Sequence, residues 1–219
     1  MPYDDINMNK KETLKKYQEM RDFSKTPEPK GKIAISSGLP TFVIQKHAAS
    51  HLHYDLRLEI NGVMPSWAIP KGPSTDFDIK RLAMQTEDHP MDYANFEGTI
   101  PEGYGAGTVM VWDNGTYDNL RLDDNGNPIP MEDCLEEGKI EVYFNGHKIK
   151  GAYVLFKLKS AKDNAWILKK IKDSDAKPNK DITEEMPNSI LTGRNLDEIA
   201  STKNNLNKKL SACNKPTFS

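Results

Sequence analysis

The sequence predicts a mainly β (α+β) fold, a compact antiparallel β-barrel with short flanking helices. Three observations carry that expectation. Apolar residues alternate with polar ones through eight short runs, at 41–47, 52–60, 63–69, 81–86, 107–112, 139–144, 149–158 and 164–170, the pattern of strands that bury one face. Asn61-Gly62, Asn114-Gly115 and Asn145-Gly146 each separate two such runs, and Asn-Gly suits a type I′ hairpin turn because both positions need positive φ. Helical periodicity is confined to the two ends of the chain, and a set of short strands hides its edges best by closing on itself.

The elements follow in order. Residues 6–23 place Leu14, Tyr17 and Met20 at helical spacing among lysines and glutamates, which predicts a short amphipathic helix. Thr26-Pro27-Glu28-Pro29-Lys30-Gly31 cannot continue it and reads as an extended linker. The body begins near Thr41. Within the run 52–60, the period of two puts His53, Asp55, Arg57 and Glu59 on one face and Tyr54, Leu56, Leu58 and Ile60 on the other. Residues 118–138 interrupt the strands with Asp123-Asp124-Asn125-Gly126-Asn127-Pro128 and an acidic stretch, expected to be a surface excursion with one helical turn. After Lys172 the chain turns polar, with one short helix expected at 195–200 and a weakly structured end. The organisation expected is an N-terminal helix and extended segment over 1–30, a barrel over 31–172 and a polar, partly disordered tail over 173–219.

Composition narrows the class of function. With 219 residues, a formal net charge of −2 and a pI near 6.2, the chain can bury a real core as one domain and does not announce a nucleic-acid binder by charge alone. Cys134 and Cys213 lie far apart, outside any C-x-x-C pair, so neither a disulfide framework nor a thiolate zinc site is indicated. No apolar run is long enough to cross a bilayer and the N-terminus lacks a signal-peptide apolar core. A cytoplasmic monomer without membrane contact is expected.

The chemistry concentrates in one stretch. Three of the five histidines fall at 47, 51 and 53. His53 and Asp55 share a strand face, and a tight bend would return His47 to them, giving two imidazoles and a carboxylate suited to Mn²⁺, Fe²⁺ or Zn²⁺. The same residues also serve as ordinary hydrogen-bonding groups, and His-x-Asp alone is a weak pattern. Arg57, Lys71 and Arg81 would add a cationic pocket suited to phosphate, and His89 a proton or hydrogen-bond donor. Gly98, Gly103, Gly105 and Gly107 lack the lysine and helix of a phosphate-cradling loop, so they are read as turn and corner glycines. Tyr93, Tyr104, Trp67 and Trp112 could stack on bases, but core packing is their commoner use.

Longer motifs carry a resemblance. Phe42-Val43-Ile44-Gln45-Lys46-His47, Leu52-His53-Tyr54-Asp55-Leu56-Arg57-Leu58-Glu59, Ser66-Trp67-Ala68-Ile69-Pro70-Lys71-Gly72-Pro73, Glu87-Asp88-His89-Pro90 with Tyr93, and Phe96-Glu97-Gly98 through Gly107 stand in the order found in the 3′-phosphoesterase domain of bacterial DNA ligase D. The sequence resembles that domain from about Tyr17 to Lys170, and Ser189-Ile190-Leu191-Thr192-Gly193-Arg194 is similar to the linker that follows it. The resemblance implies a small β-barrel and a Mn²⁺-dependent activity, with Co²⁺ or Zn²⁺ as other divalent metals, that heals 3′ ends of DNA or RNA-tipped DNA in non-homologous end joining. Such enzymes remove a terminal ribonucleoside and then the 3′-phosphate. His47, His53 and Asp55 would hold the metal, Arg57 and His89 would contact the phosphate, and Tyr93, Gln45, Lys71, Arg81 and Glu87 would support the site. Arg21, Asp22 and Glu28 would matter too, in a stretch otherwise read as linker. Because 219 residues leave no room for ligase or polymerase domains, a stand-alone phosphoesterase working with a separate DNA ligase, polymerase and Ku is expected. Two other readings stand beside it: an Fe²⁺ oxygenase with His53, Asp55 and His89 as its facial triad, and a non-catalytic module that binds nucleic-acid ends.

Overall fold

The computed structural model describes residues 14–31, 38–159 and 164–202. Residues 6–13 of the expected N-terminal helix, Cys213 and the tail beyond 202 lie outside the described residues. Eleven strands are present among the described residues: β1 (Thr41–Ala48), β2 (Leu52–Leu58), β3 (Val63–Met64), β4 (Ser66–Ile69), β5 (Lys80–Gln85), β6 (His89–Pro90), β7 (Gly98–Ile100), β8 (Gly107–Asn119), β9 (Lys139–Gly146), β10 (Lys150–Lys157) and β11 (Ala165–Lys170). Eight of them close in the order β1-β2-β4-β5-β11-β10-β9-β8, with β8 pairing back onto β1. The expected antiparallel barrel is the fold. The helices are short: α1 (Lys15–Glu19), a 3-10 turn (Met91–Asn95), α2 (Met131–Glu136), α3 (Ile182–Glu185) and α4 over 196–202.

An eight-stranded barrel has a lumen about wide enough for side chains to fill. Here Phe42, Ile44, Tyr54, Leu56, Leu58, Trp67, Trp112, Phe144, Tyr153 and Trp166 join in one buried cluster, each large apolar group contributing roughly 1.5–3 kcal/mol by leaving water. With three tryptophans in that core, any ligand site has to lie outside the lumen. The alternation of β2 decides which side chains do so. Tyr54, Leu56 and Leu58 join the core, and His53, Asp55 and Arg57 take the outer face.

The Asn-Gly turns divide. Asn61 and Gly62 hold φ of 52° and 80°, as a type I′ turn requires. Asn114-Gly115 lies inside β8, and Asn145-Gly146 ends β9 in extended conformation, so neither is a turn. Gly115 and Gly146 instead face each other across β8 and β9, where a Cβ on Gly115 would stand 2.2 Å from the Asn145 carbonyl oxygen. Close approach, not positive φ, requires glycine there. The turn falls at His147-Lys148, and the buried Asp113 carboxylate accepts the backbone N–H groups of residues 147, 148 and 149 at 2.8–3.0 Å.

The segment read as a polar tail packs on the barrel through residue 202. Its sparse apolar residues are spaced so that Ile182 and Ile199 reach the core, and Asp181 caps α3 by accepting from Thr183 N–H. Trp112 Nε1 donates to the Met186 carbonyl at 2.7 Å, and Lys148 Nζ donates to the carbonyls of Met186 and Asn188. Glu97 ties down the next stretch by accepting from Ser189, Thr192 and Arg194.

Candidate active site

The site is built on the outer wall of three adjacent strands. In the antiparallel register His47 stands opposite His53, Gln45 opposite Asp55 and Ser66 opposite Arg57, so the period of two brings these polar groups onto one patch. Asp55, Arg57 and His47 are nonetheless buried. The covering comes from α1 and the chain after it, from the 3-10 turn with Tyr93, from Glu87 to His89, and from the loop 101–106. Between wall and cover lies a cavity of about 260 Å³. His47, His53, Asp55, Arg57, His89 and Tyr93 all line it, with Arg21, Glu28, Glu87 and Tyr104.

His47, His53 and Asp55 can each point one ligand atom at a common centre, all within 4.8 Å of one another. The hydrogen bonds fix which imidazole nitrogens are free. His47 Nε2 lies 3.0 Å from the Gly105 carbonyl and His53 Nδ1 lies 2.9 Å from the His51 carbonyl. A carbonyl only accepts, so these nitrogens carry the protons. The opposite nitrogens, His47 Nδ1 and His53 Nε2, keep their lone pairs and lie 3.7 and 3.5 Å from the Asp55 carboxylate. Orienting carbonyls behind ligating histidines are the usual support of a metal site, and this donor set fits a divalent ion. Burial, the largest influence on Asp55, pushes its carboxyl up, but Arg57 and the two imidazoles together hold it below the ordinary range. It is present as the carboxylate a metal needs.

Arg57 is locked from three sides. Its Nε donates to Gln45 Oε1 at 2.8 Å, Nη1 to Ser66 Oγ at 2.9 Å and Nη2 to Asp55 Oδ2 at 3.1 Å, while the Tyr93 ring lies 4.9 Å from its Cζ. A guanidinium has five N–H donors, so two remain for a ligand. Gln45 in turn donates Nε2 to the carbonyls of Tyr93 and Phe96 at 3.1 and 2.9 Å, which sets the 3-10 turn over the cavity. His89 sits between a carbonyl and a cation: Nδ1 is 2.9 Å from the Glu87 carbonyl and Nε2 is 3.2 Å from Arg21 Nη2. Burial first, then Arg57 and Arg21, push its pKa well below the ordinary value, so His89 is neutral with the proton on Nδ1.

The stretch read as linker is part of this machinery. Arg21 donates to Glu28 at 2.9 Å, to Glu87 at 3.2 Å and to the Tyr17 carbonyl at 3.0 Å, with its Cζ 3.8 Å above the Tyr17 ring. Asp22 is exposed beside it and accepts from Ser24. Lys71 and Arg81 go elsewhere. Neither lines the cavity; Lys71 is exposed in the turn after β4, and Arg81 stands near Asp181 of the C-terminal segment, whose carboxyl is held below its ordinary range first by hydrogen bonds from Thr183 and then by Arg81. The strand-face argument could not tell which side of β5 Arg81 would take, and it lies on the same side as the core residue Ala83. Four contributors carried no sequence signal that placed them in this site. Ser66 bridges Arg57 and His89, Tyr17 packs edge-on against His89 and Tyr93, Gly105 offers only its carbonyl, and Tyr104 donates to Glu87 Oε2 at 3.1 Å. Glu59, unassigned on its strand face, accepts from the Thr41 N–H and hydroxyl and pins the start of β1.

Residues 45–157 match the family model of the DNA Ligase D 3′-phosphoesterase domain. The chain belongs to this family. The match contains the whole barrel wall of the site, from Gln45 through Tyr93 and Tyr104, but not Arg21, Asp22 and Glu28. Among relatives, the chain is 46% identical over 189 residues to the multifunctional non-homologous end joining protein LigD of Pseudomonas aeruginosa, covering 84% of this chain and 22% of that protein. It is 44% identical over 163 residues to the multifunctional non-homologous end joining DNA repair protein LigD of Mycobacterium tuberculosis, covering 73% of this chain and 20% of that one. A LigD of Mycolicibacterium smegmatis is 42% identical over 171 residues, covering 75% and 21%. The chain spans about a fifth of the length of these curated relatives.

Proposed function

We propose that the chain is a metal-dependent 3′-end-healing phosphoesterase. It removes a 3′-terminal ribonucleoside, a 3′-phosphate or both, leaving a 3′-hydroxyl for ligation. The observation that supports this best is the single cavity joining a two-histidine, one-carboxylate triad to the free N–H groups of Arg57 and to His89. Mn²⁺ is the proposed ion, with Co²⁺ or Zn²⁺ as alternatives of similar ligand preference. A bound ion supplies Lewis acidity toward a phosphate oxygen and an attacking water. In the first step water adds to phosphorus, the bond to the 5′ oxygen of the terminal ribonucleoside breaks, and that oxygen takes up a proton. In the second the bond between phosphorus and the 3′ oxygen breaks in the same way. Arg57, held by Gln45, Ser66 and Asp55, presents two N–H groups to oxygens that gain charge. His89 is neutral in the free site. A phosphate placed beside it opposes Arg57 and Arg21 and raises its pKa, turning Nε2 into a donor.

The oxygenase reading has less support. His89 does not join His53 and Asp55 in the converging group, and its Nε2 faces the Arg21 guanidinium. A module that only bound ends would have no use for orienting carbonyls behind two ligand-type histidines. A separate ligase, polymerase and Ku acting in the cytoplasm remain the proposed partners. Duplexes ending in a 3′-phosphate or a single 3′ ribonucleotide, incubated with Mn²⁺ and resolved for product, should yield 3′-hydroxyl ends. A folded, metal-loaded protein inert on both would overturn the proposal.

A further inference from the structure

A second cavity of about 420 Å³ adjoins the first, with Arg21, Glu28 and Tyr104 lining both. Asp22, Lys25 and Glu102 complete its character. Neither the metal triad nor Arg57 reaches it, and nothing in the proposed chemistry at phosphorus uses it. Its volume is in the range of small-molecule pockets. Tyr104 is the outstanding feature of its wall. The residue is 47% exposed although its hydroxyl is fixed on Glu87 Oε2 at 3.1 Å, and Glu87 Oε1 receives Arg21 at 3.2 Å. The ring is therefore held in place from its polar end while much of its surface stays open. Its neighbours Gly103 and Gly105 take φ of 87° and 75°, a backbone that lets the tyrosine project from a tight loop. The same loop orients His47 through the Gly105 carbonyl, so the ring stands in a fixed relation to the triad. In the same lining, Asp22 accepts from Ser24 through Oδ1 alone among the described residues, leaving a carboxylate oxygen of the kind that receives ribose hydroxyls.

We propose that this second cavity is the subsite for the 3′-terminal nucleoside, with Tyr104 as the platform on which its base stacks and Asp22 as acceptor for its ribose hydroxyls. The assignment rests on the phosphoesterase reading, since the phosphate between terminal nucleoside and primer must then lie at Arg57 and His89. It adds a specificity element: an end carrying only a 3′-phosphate leaves the subsite empty, and an end carrying a ribonucleoside fills it. Stacking tolerates any base, so Tyr104 selects for the presence of a nucleoside and not for its identity.

The test uses a primer-template whose 3′-terminal ribonucleoside is 2-aminopurine, with a dye at the 5′ end, in EDTA so that no cleavage occurs. Anisotropy of the dye reports binding, and 2-aminopurine fluorescence reports stacking. The wild-type protein and Tyr104→Phe should bind and quench; Tyr104→Leu should bind without quenching. With Mn²⁺, Tyr104→Leu should raise KM on the ribonucleoside end roughly 5- to 150-fold above that of Tyr104→Phe, the range one base–aromatic stack supplies, whereas on a 3′-phosphate end the two variants, which both lack the hydroxyl bonded to Glu87, should share one KM within about twofold. Wild-type protein that fails to bind the primer or to quench overturns the subsite. Equal losses on both substrates would also overturn it, making Tyr104 a positioning residue for Glu87 and Arg21. Absence of wild-type turnover on both ends is a separate result that strikes the phosphoesterase reading, and the quenching measurement still decides the role of Tyr104.

Discussion

Replacing Arg57 with glutamine should convert Asp55 from a stabilising to a destabilising group, and the sign of the pH dependence makes the change measurable. Arg57 is 3% exposed and Asp55 7%, and the two are 3.1 Å apart. Removing one member of a buried ion pair strands the other, at a cost of about 3–5 kcal/mol. In a chain of this length that lowers Tm by roughly 6–20 °C at pH 7. In the wild-type protein the Asp55 carboxyl lies below its ordinary 3.8. Its contribution is thus present above the unfolded value and lost as pH falls through the folded one. In Arg57→Gln, burial stands against the two imidazoles alone, the Asp55 pKa rises, and the folded state takes up a proton more readily than the unfolded state. Stability of the variant should then improve, relative to wild type, as pH is lowered from 7 toward about 4. Thermal unfolding of metal-free protein across that range measures both effects. A Tm difference under about 3 °C, or one that does not narrow toward acid, would refute the account of this wall.

Three further outcomes are expected. His47→Ala should abolish Mn²⁺ binding in calorimetry, whereas His89→Ala should keep it and lose roughly 100-fold or more in turnover on a 3′-phosphate end; the reverse pattern would favour the oxygenase triad. Burial pushes the Lys148 ammonium from 10.5 down to about 8, so the folded state releases that proton first and stability gains between those values as pH rises. Lys148→Met should lack that gain in alkaline melts, and parallel curves for the two proteins would contradict it. Gly107→Ala would place a Cβ 2.3 Å from the Ala48 carbonyl oxygen at φ of +146°, and should cost ~3 kcal/mol or more in denaturant unfolding; a loss below about 1 kcal/mol would mean the strands separate more easily than drawn.

Local pattern was enough for the wall of the site and insufficient for its cover. The period of two along β2 placed Tyr54, Leu56 and Leu58 in the core and His53, Asp55 and Arg57 outside, and the hairpin back to His47 needed only three intervening residues. Arg21, Glu28, Glu87 and His89 meet through contacts spanning up to 68 positions, which no local pattern encodes; resemblance alone flagged Arg21 and Glu28. Glycine was ambiguous for a physical reason. It serves positive φ at Gly62 and close backbone approach at Gly115 and Gly146, and a dipeptide does not distinguish the two uses. The polar composition of residues 173–202 concealed a few well-placed isoleucines whose partners lie far back in the chain.

The triad sits on strands that are hydrogen-bonded along both edges, β1 between β2 and β8 and β2 between β1 and β4. Ligands mounted this way cannot drift apart or together to suit an ion without straining a closed cylinder packed with tryptophan. Discrimination among divalent ions would then come from stiffness, by rejecting radii that the fixed spacing does not match. The amides flanking His47 and Asp55 should accordingly exchange with solvent only when the whole barrel opens.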